Sequence, residues 1–201
     1  RRETGLVNNN VVFMGMGEPF MNYDNVMRAA EIMNYSFGFH ISVRKITIST
    51  CGILPRIEQF FREKRTYNLA ISLNDTSPEK RASSMPVEKK YPIAEVAELL
   101  NSVTPANHGG RITLEYVMRK DNISQEDAKR IKKLFRFSSI KLNLIPLNAT
   151  SRDGNVPTRE EVEQFIRYCE IINVPINVRK SLGSDIDGAC GGYNLHWAFA
   201  S

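Results

Sequence analysis

Val11-Val12-Phe13-Met14-Gly15-Met16-Gly17-Glu18-Pro19 is an apolar run that stops at two glycines, a carboxylate and a proline. It reads as a buried strand delivering a loop. In open α/β sheets and β/α barrels the ligand sits beyond the carboxyl ends of the strands, so a Gly-x-Gly-Glu-Pro turn in that place is a binding-loop candidate. A lone glycine cluster after a strand is more often only a turn, and the surrounding chain has to decide.

Working outward, Tyr23 to Tyr35 carries Val26, Ala29, Ala30 and Met33 at helical spacing, with Asp24 expected to cap it. Lys45 to Thr50 is β-branched, and Pro55 opens a helix bearing Ile57, Phe60 and Phe61. Tyr67 to Asn74 is a third strand, followed by a short helix start at Ser77-Pro78-Glu79 and a longer helix from Ile93 to Val103. Arg111 to Val117 alternates as a strand, and Ser124 with Asp127 forms a capping box for a helix running toward Phe135. Lys141 to Pro146 is a fifth strand, Thr158 with Glu161 caps a helix with Phe165 and Cys169 toward the core, and Ile176 to Arg179 closes the series. Five strand-helix units and a final strand imply parallel strands joined by right-handed crossovers, as in a barrel or a doubly wound sheet. A closed eight-stranded barrel needs about 250 residues, so with 201 the expected fold is α/β, a partial (β/α) barrel.

The composition, 42% hydrophobic and 24% charged, excludes a disordered or fibrous chain. No internal repeat, low-complexity stretch or linker is evident, so residues 1–201 are expected to form one domain, with residues 181–201 a Gly-rich loop and tail. No apolar run reaches the roughly 20 residues of a membrane span and the start lacks a signal peptide's apolar region, so a cytoplasmic location is expected. The chain begins directly before its first strand without a methionine, which suggests a trimmed piece of a longer protein. The net charge of +5 would suit an RNA-binding surface without requiring one. The basic clusters, including Lys80-Arg81, Lys89-Lys90 and Lys132-Lys133, are expected on solvated helix faces. Three cysteines without metal-ligand spacing argue against both a disulfide scaffold and a cysteine metal site. The default for His40, His108 and His196 is a surface or loop position.

Polar residues recur at the strand ends: Gly17 and Glu18, Ser49 and Thr50, Ser72 and Asn74, Glu115, and Asn148. Five in series favour a small-molecule site. Pro19 stands where a dinucleotide loop would place its third glycine and begin its helix, and Glu18 would repel phosphate. A carboxylate beside open backbone suits a cationic amine, such as the methionyl end of S-adenosylmethionine.

These residues resemble a family. Gly15-Met16-Gly17-Glu18-Pro19 with Asn22, Ile48 to Gly52, Ala70 to Leu73, Met85-Pro86-Val87 with Lys89 to Pro92, Glu115-Tyr116-Val117, Asn143 to Pro146 with Asn148, and Gly183 to Ile186 with Ala189-Cys190-Gly191 together resemble the RlmN/Cfr family of radical S-adenosylmethionine (radical SAM) RNA methyltransferases. The likeness runs from about Val11 to Gly192. Each motif alone is common, but seven in one order are specific.

The resemblance implies a radical SAM barrel lacking its first strand-helix unit and methylation of carbon 2 of an adenine in 23S rRNA and tRNA. It implies that Gly17 and Glu18 hold the methionyl amine, that Ser49, Ser72, Leu73 and Asn74 line the ribose side, and that Asn148 meets the adenine. Cys190 corresponds to the methyl-carrying cysteine, methylated by one S-adenosylmethionine before a second supplies the radical. An external electron donor and a [4Fe-4S] cluster are implied as well. The family's Cys-x-x-x-Cys-x-x-Cys cluster loop does not occur in this sequence and would precede Arg1, so the chain by itself is expected to be inactive. Cys51 is then a strand-end residue and Cys169 a core residue. Asn74 stands where many members carry histidine. Two alternatives remain open: a Cfr-type enzyme acting at adenine carbon 8, and a clusterless relative that binds RNA or a nucleoside without catalysis.

Overall fold

The computed structural model describes residues 10–104, 108–147 and 154–179. Asn148, Cys190 and the segment 181–201 lie outside them. The strands are β1 (Val11–Phe13), β2 (Ile46–Thr50), β3 (Asn68–Ser72), β4 (Ile112–Met118), β5 (Ile140–Pro146) and β6 (Ile176–Val178). The helices are α1 (Tyr23–Asn34), α2 (Leu54–Arg62), α3 (Pro78–Ser84), α4 (Ile93–Ser102), α5 (Gln125–Leu134) and α6 (Arg159–Ile171). All six strands are parallel and lie in the order β1-β2-β3-β4-β5-β6. A doubly wound sheet reverses its strand order at a switch point, whereas this order never reverses. The sheet is therefore the strand set of an open β/α barrel.

Right-handed crossovers between strands added in one direction put the helices on a single face of the sheet. Along β2 that face takes Ile46, Ile48 and Thr50, along β4 Leu114, Tyr116 and Met118, and along β5 Leu142 and Leu144, all buried. The intervening residues include Thr47 and Ser49, Thr113 and Glu115, Lys141 and Asn143, so the opposite face is polar. Period-two alternation thus separates a core from a site. On the core side Phe20 packs edge-on against Tyr23 with ring centroids 5.4 Å apart, and Phe165 of α6 stacks on Tyr116 of β4 at 5.8 Å.

The helix starts follow their capping chemistry. Ser77 caps α3, and both Ser124–Asp127 and Thr158–Glu161 form reciprocal boxes at α5 and α6. At α1, as at α2 and α4, no N-cap side chain bonds the first turn, and the N-cap position of α1 is Asn22. Asp24 lies inside the first turn, where its charge meets the positive end of the helix dipole instead of capping it.

His108 lies in a loop, one of the two positions expected of it, but it is buried there. It is 5% exposed, its ring packs edge-on against Phe61, and its Nδ1 lies 2.9 Å from the Arg65 carbonyl. Burial lowers its pKa, with the Arg65 carbonyl opposing the shift. A base whose folded pKa is depressed contributes stability that is complete above its unfolded pKa of about 6.5 and is lost as pH falls through the folded value. Denaturant melts of the wild type and His108→Gln between pH 5 and 7 should therefore converge with acidification, because only the wild type loses this contribution. Gly110 is fixed by space: a Cβ there would stand 2.2 Å from the Tyr67 carbonyl oxygen and 2.7 Å from His108 Nε2. Gly110→Ala should lower unfolding free energy by about 1–3 kcal/mol, the usual cost of overpacking, in the same measurement.

Candidate functional site

At the carboxyl ends of β1 to β5 the polar face opens into a cavity of about 250 Å³. Its wall includes Gly17, Glu18, Ser49, Cys51, Ser72, Asn74, Glu115 and Arg179. Five residues singled out by the sequence, Gly17, Glu18, Ser49, Ser72 and Asn74, therefore meet in one place.

The loop after β1 is built by Gly17 and Glu18. Gly17 has φ +85°, which side-chain-bearing residues rarely adopt. Glu18 Oε1 accepts from the Phe20 amide at 2.9 Å and Oε2 from the Cys51 amide at 2.7 Å. The carboxylate thus caps the short 3₁₀ turn Pro19–Asn22 and ties the loop to the end of β2. An ionised carboxylate has about four acceptor positions, so it keeps capacity for a ligand. The neighbouring Cys51 thiol is pushed up to about 12, first by burial and then by Glu18.

Ser49 is half-buried on the cavity side of β2, whereas Thr50 points the other way and its Oγ1 accepts from the amides of Gly52 and Ile53 ahead of α2. Ser72 and Asn74 face the cavity, but Leu73 between them is fully buried in the core. Its backbone is occupied as well, the amide donating to the Glu115 carbonyl and the carbonyl accepting from Arg81 Nε. Leu73 spaces the two cavity residues and presents no side chain to them. Asn74 adopts φ +55°. Its Oδ1 accepts from the Val117 amide at 3.3 Å and its carbonyl from Asn122 Nδ2 at 2.9 Å, which anchors the turn after β3 to the end of β4.

Arg81 is a correction to the expectation of solvated basic clusters. Its side chain is fully buried. Nε donates to the Leu73 carbonyl at 3.0 Å, and Nη2 donates to the carbonyls of Cys51 at 2.8 Å and Ser72 at 3.1 Å. Nη1 pairs with Glu88, which also accepts from the Ile93 amide at 2.9 Å and so starts α4. The three carbonyls belong to chain leaving β2 and β3 beside the cavity. Pairing with buried Glu88 gives a helix-borne arginine reason to turn inward, a partnership that a basic dipeptide in sequence does not reveal.

Glu115 lies in the middle of β4, not at its end, and its side chain is 9% exposed. Its Oε1 accepts from Asn143 Nδ2 at 2.8 Å, and Asn143 Oδ1 accepts from Asn177 Nδ2 at 3.2 Å. This chain of polar contacts crosses β4, β5 and β6. Oε2 has no hydrogen-bond partner among the described residues, and Arg179 Nη1 lies 3.9 Å from it. Burial raises the Glu115 pKa, while Asn143 and Arg179 pull against the shift. Cys169 is buried in the core, as expected. Among the described residues no group of three or more His, Cys, Asp or Glu could hold a metal ion, and no helix is long and apolar enough to cross a membrane.

An open sheet of parallel strands with a polar pocket at its carboxyl ends is a framework shared by many α/β enzymes, and the comparison with solved structures narrows the likeness. One from Sphaerobacter thermophilus, described as a radical SAM methyltransferase, matches with a TM-score of 0.87 and 36% identity over 95% of this chain and 56% of that one. In sequence the chain is RlmN-like. It is 43% identical over 183 residues to a probable dual-specificity RNA methyltransferase RlmN of Leptospira interrogans, covering 90% of this chain and 52% of the relative. It is 40% identical over 184 residues to the protein of the same name in Clostridium perfringens, covering 53% of that relative. The chain spans about half the length of the curated relatives it matches. No family model matches it.

Replacing Arg81 by Met removes the cation from Glu88 and leaves a carboxylate buried beside three strand-end carbonyls. Breaking a buried pair in this way costs about 3–5 kcal/mol, which chemical denaturation of Arg81→Met should read out.

Proposed function

We propose that the protein, in the full form its gene encodes, is a radical SAM RNA methyltransferase that methylates carbon 2 of an adenine in 23S rRNA and tRNA. The observation that carries this reading is the convergence of Gly17, Glu18, Ser49, Ser72 and Asn74 on one strand-end cavity. The donor set suits S-adenosylmethionine: acceptor capacity left on Glu18 for an ammonium, hydroxyls and an amide for a ribose, and an orphaned buried oxygen on Glu115. Phosphate fits less well, because the loop's own charge is negative.

In this reading Gly17 and Glu18 receive the methionyl amine, Ser49, Ser72 and Asn74 the ribose side, and Asn148 the adenine. Bound there, S-adenosylmethionine supplies an electrophilic methyl group and, with an electron from an external donor, the radical chemistry of the class. Cys190 accepts the methyl group that the adenine finally receives. The described residues do not fit an iron-sulfur cluster, since no three of their His, Cys, Asp or Glu side chains come together to hold a metal ion. The chain's own contribution is to bind and orient: Glu18 holds the loop at a fixed distance from β2, and Arg81 holds the Ser72 turn.

The test is nucleoside mass spectrometry of rRNA and tRNA treated with the full gene product, S-adenosylmethionine and a reductant. The expected result is 2-methyladenosine in both RNAs, abolished by Cys190→Ala. Formation of 8-methyladenosine instead would assign the protein to the Cfr-type reaction. RNA binding without any methylation would overturn an enzymatic role.

A further inference from the structure

A buried carboxylate with one satisfied and one orphaned oxygen is costly unless something else completes it. Among the described residues Glu115 is in this state, on the polar face of the sheet. Asn143, itself steadied by Asn177, fixes Oε1, and with it the direction of the whole carboxylate. Oε2 is left at the junction of the strand-end cavity and a larger one of about 550 Å³ that continues along the same face, for Glu115 and Arg179 line both.

Strand register indicates what would fit. Glu115 of β4 pairs with Ser72 of β3. Neighbouring strands lie about 4.8 Å apart, so a hydroxyl and a carboxylate on one row are spaced to share a vicinal diol. The charge balance selects between the donors a nucleoside cofactor offers. Arg179 already places a guanidinium 3.9 Å from Oε2, so an ammonium there would sit beside a like charge. A hydroxyl is neutral and donates to the carboxylate without that repulsion. The amine has its own carboxylate in Glu18, on the loop after β1.

We propose that Glu115 is a ribose-binding residue, whose Oε2 accepts a hydrogen bond from a hydroxyl of the S-adenosylmethionine ribose seated between Ser72 and Asn143. The inference rests on the cofactor assignment made above, and it adds a residue from the middle of a strand to a site otherwise drawn from strand ends and loops.

The experiment is equilibrium binding of S-adenosylmethionine and of its 2′,3′-dideoxyribose analogue to the wild-type protein and to Glu115→Gln, by calorimetry. Hydrogen bonds to charged groups contribute about 1.5–3 kcal/mol, so wild type should bind the analogue about 10- to 100-fold more weakly than S-adenosylmethionine. Glu115→Gln should show a loss of similar size with S-adenosylmethionine, and should bind the analogue about as well as wild type does. Glu115→Asp, which keeps the charge but withdraws the oxygen by one methylene, should behave in the same way and stands in if the glutamine variant does not fold. Wild-type binding indifferent to the ribose hydroxyls, or losses from variant and analogue that multiply, would overturn the role of Glu115 and leave the cofactor assignment intact. A wild-type protein that binds neither compound would overturn both.

Discussion

One guanidinium holds the mouth of the site together. Strands that end at a cavity leave carbonyls without ladder partners, and these are expensive to bury. Arg81 gathers three of them, from Cys51, Ser72 and Leu73, and Glu88 balances its charge while starting α4. Two strand ends, one short helix and the start of the next helix therefore share a single buried ion pair. The arrangement fixes where Ser72 stands, and through the backbone where Asn74 turns back toward β4. Because buried ion pairs are weak net stabilisers, its value lies in geometry more than in free energy.

The fold was legible because its signals are local and repeated. β-branched runs, capping boxes at Ser124 and Thr158, and prolines at the helix starts each name an element and its direction. The open choice between a barrel and a doubly wound sheet depended on strand order, a nonlocal property that no periodicity encodes. Asp24 was misassigned by two positions because an acidic residue suits both an N-cap and a first turn, and only backbone geometry separates the two roles.

The site was legible where polarity interrupts an apolar run, hence Glu18, Ser49 and Ser72. It was illegible where contacts span elements. Arg81 looked like any exposed basic residue, since its partner Glu88 lies in a later turn and its carbonyl acceptors leave no mark on sequence. His108 was hidden in the same way, its partner being a backbone carbonyl 43 residues away. Leu73 was drawn into the site by its motif, although strict alternation sends it to the other face. Glu115 carried a visible charge at a visible strand, but its orphaned oxygen is a property of the packed sheet alone.

Cys51 illustrates how a protein can keep a nucleophile silent. Its sulfur shares a cavity wall with Glu18 and Arg179, where an electrophile would be within reach. With its pKa pushed up to about 12, the thiol stays protonated at neutral pH, whereas the thiolate is the form that attacks. Burial does most of this, and the carboxylate that shapes the loop adds to it. A reactive group brought into this cavity would meet a sulfur held in its protonated, weakly nucleophilic form.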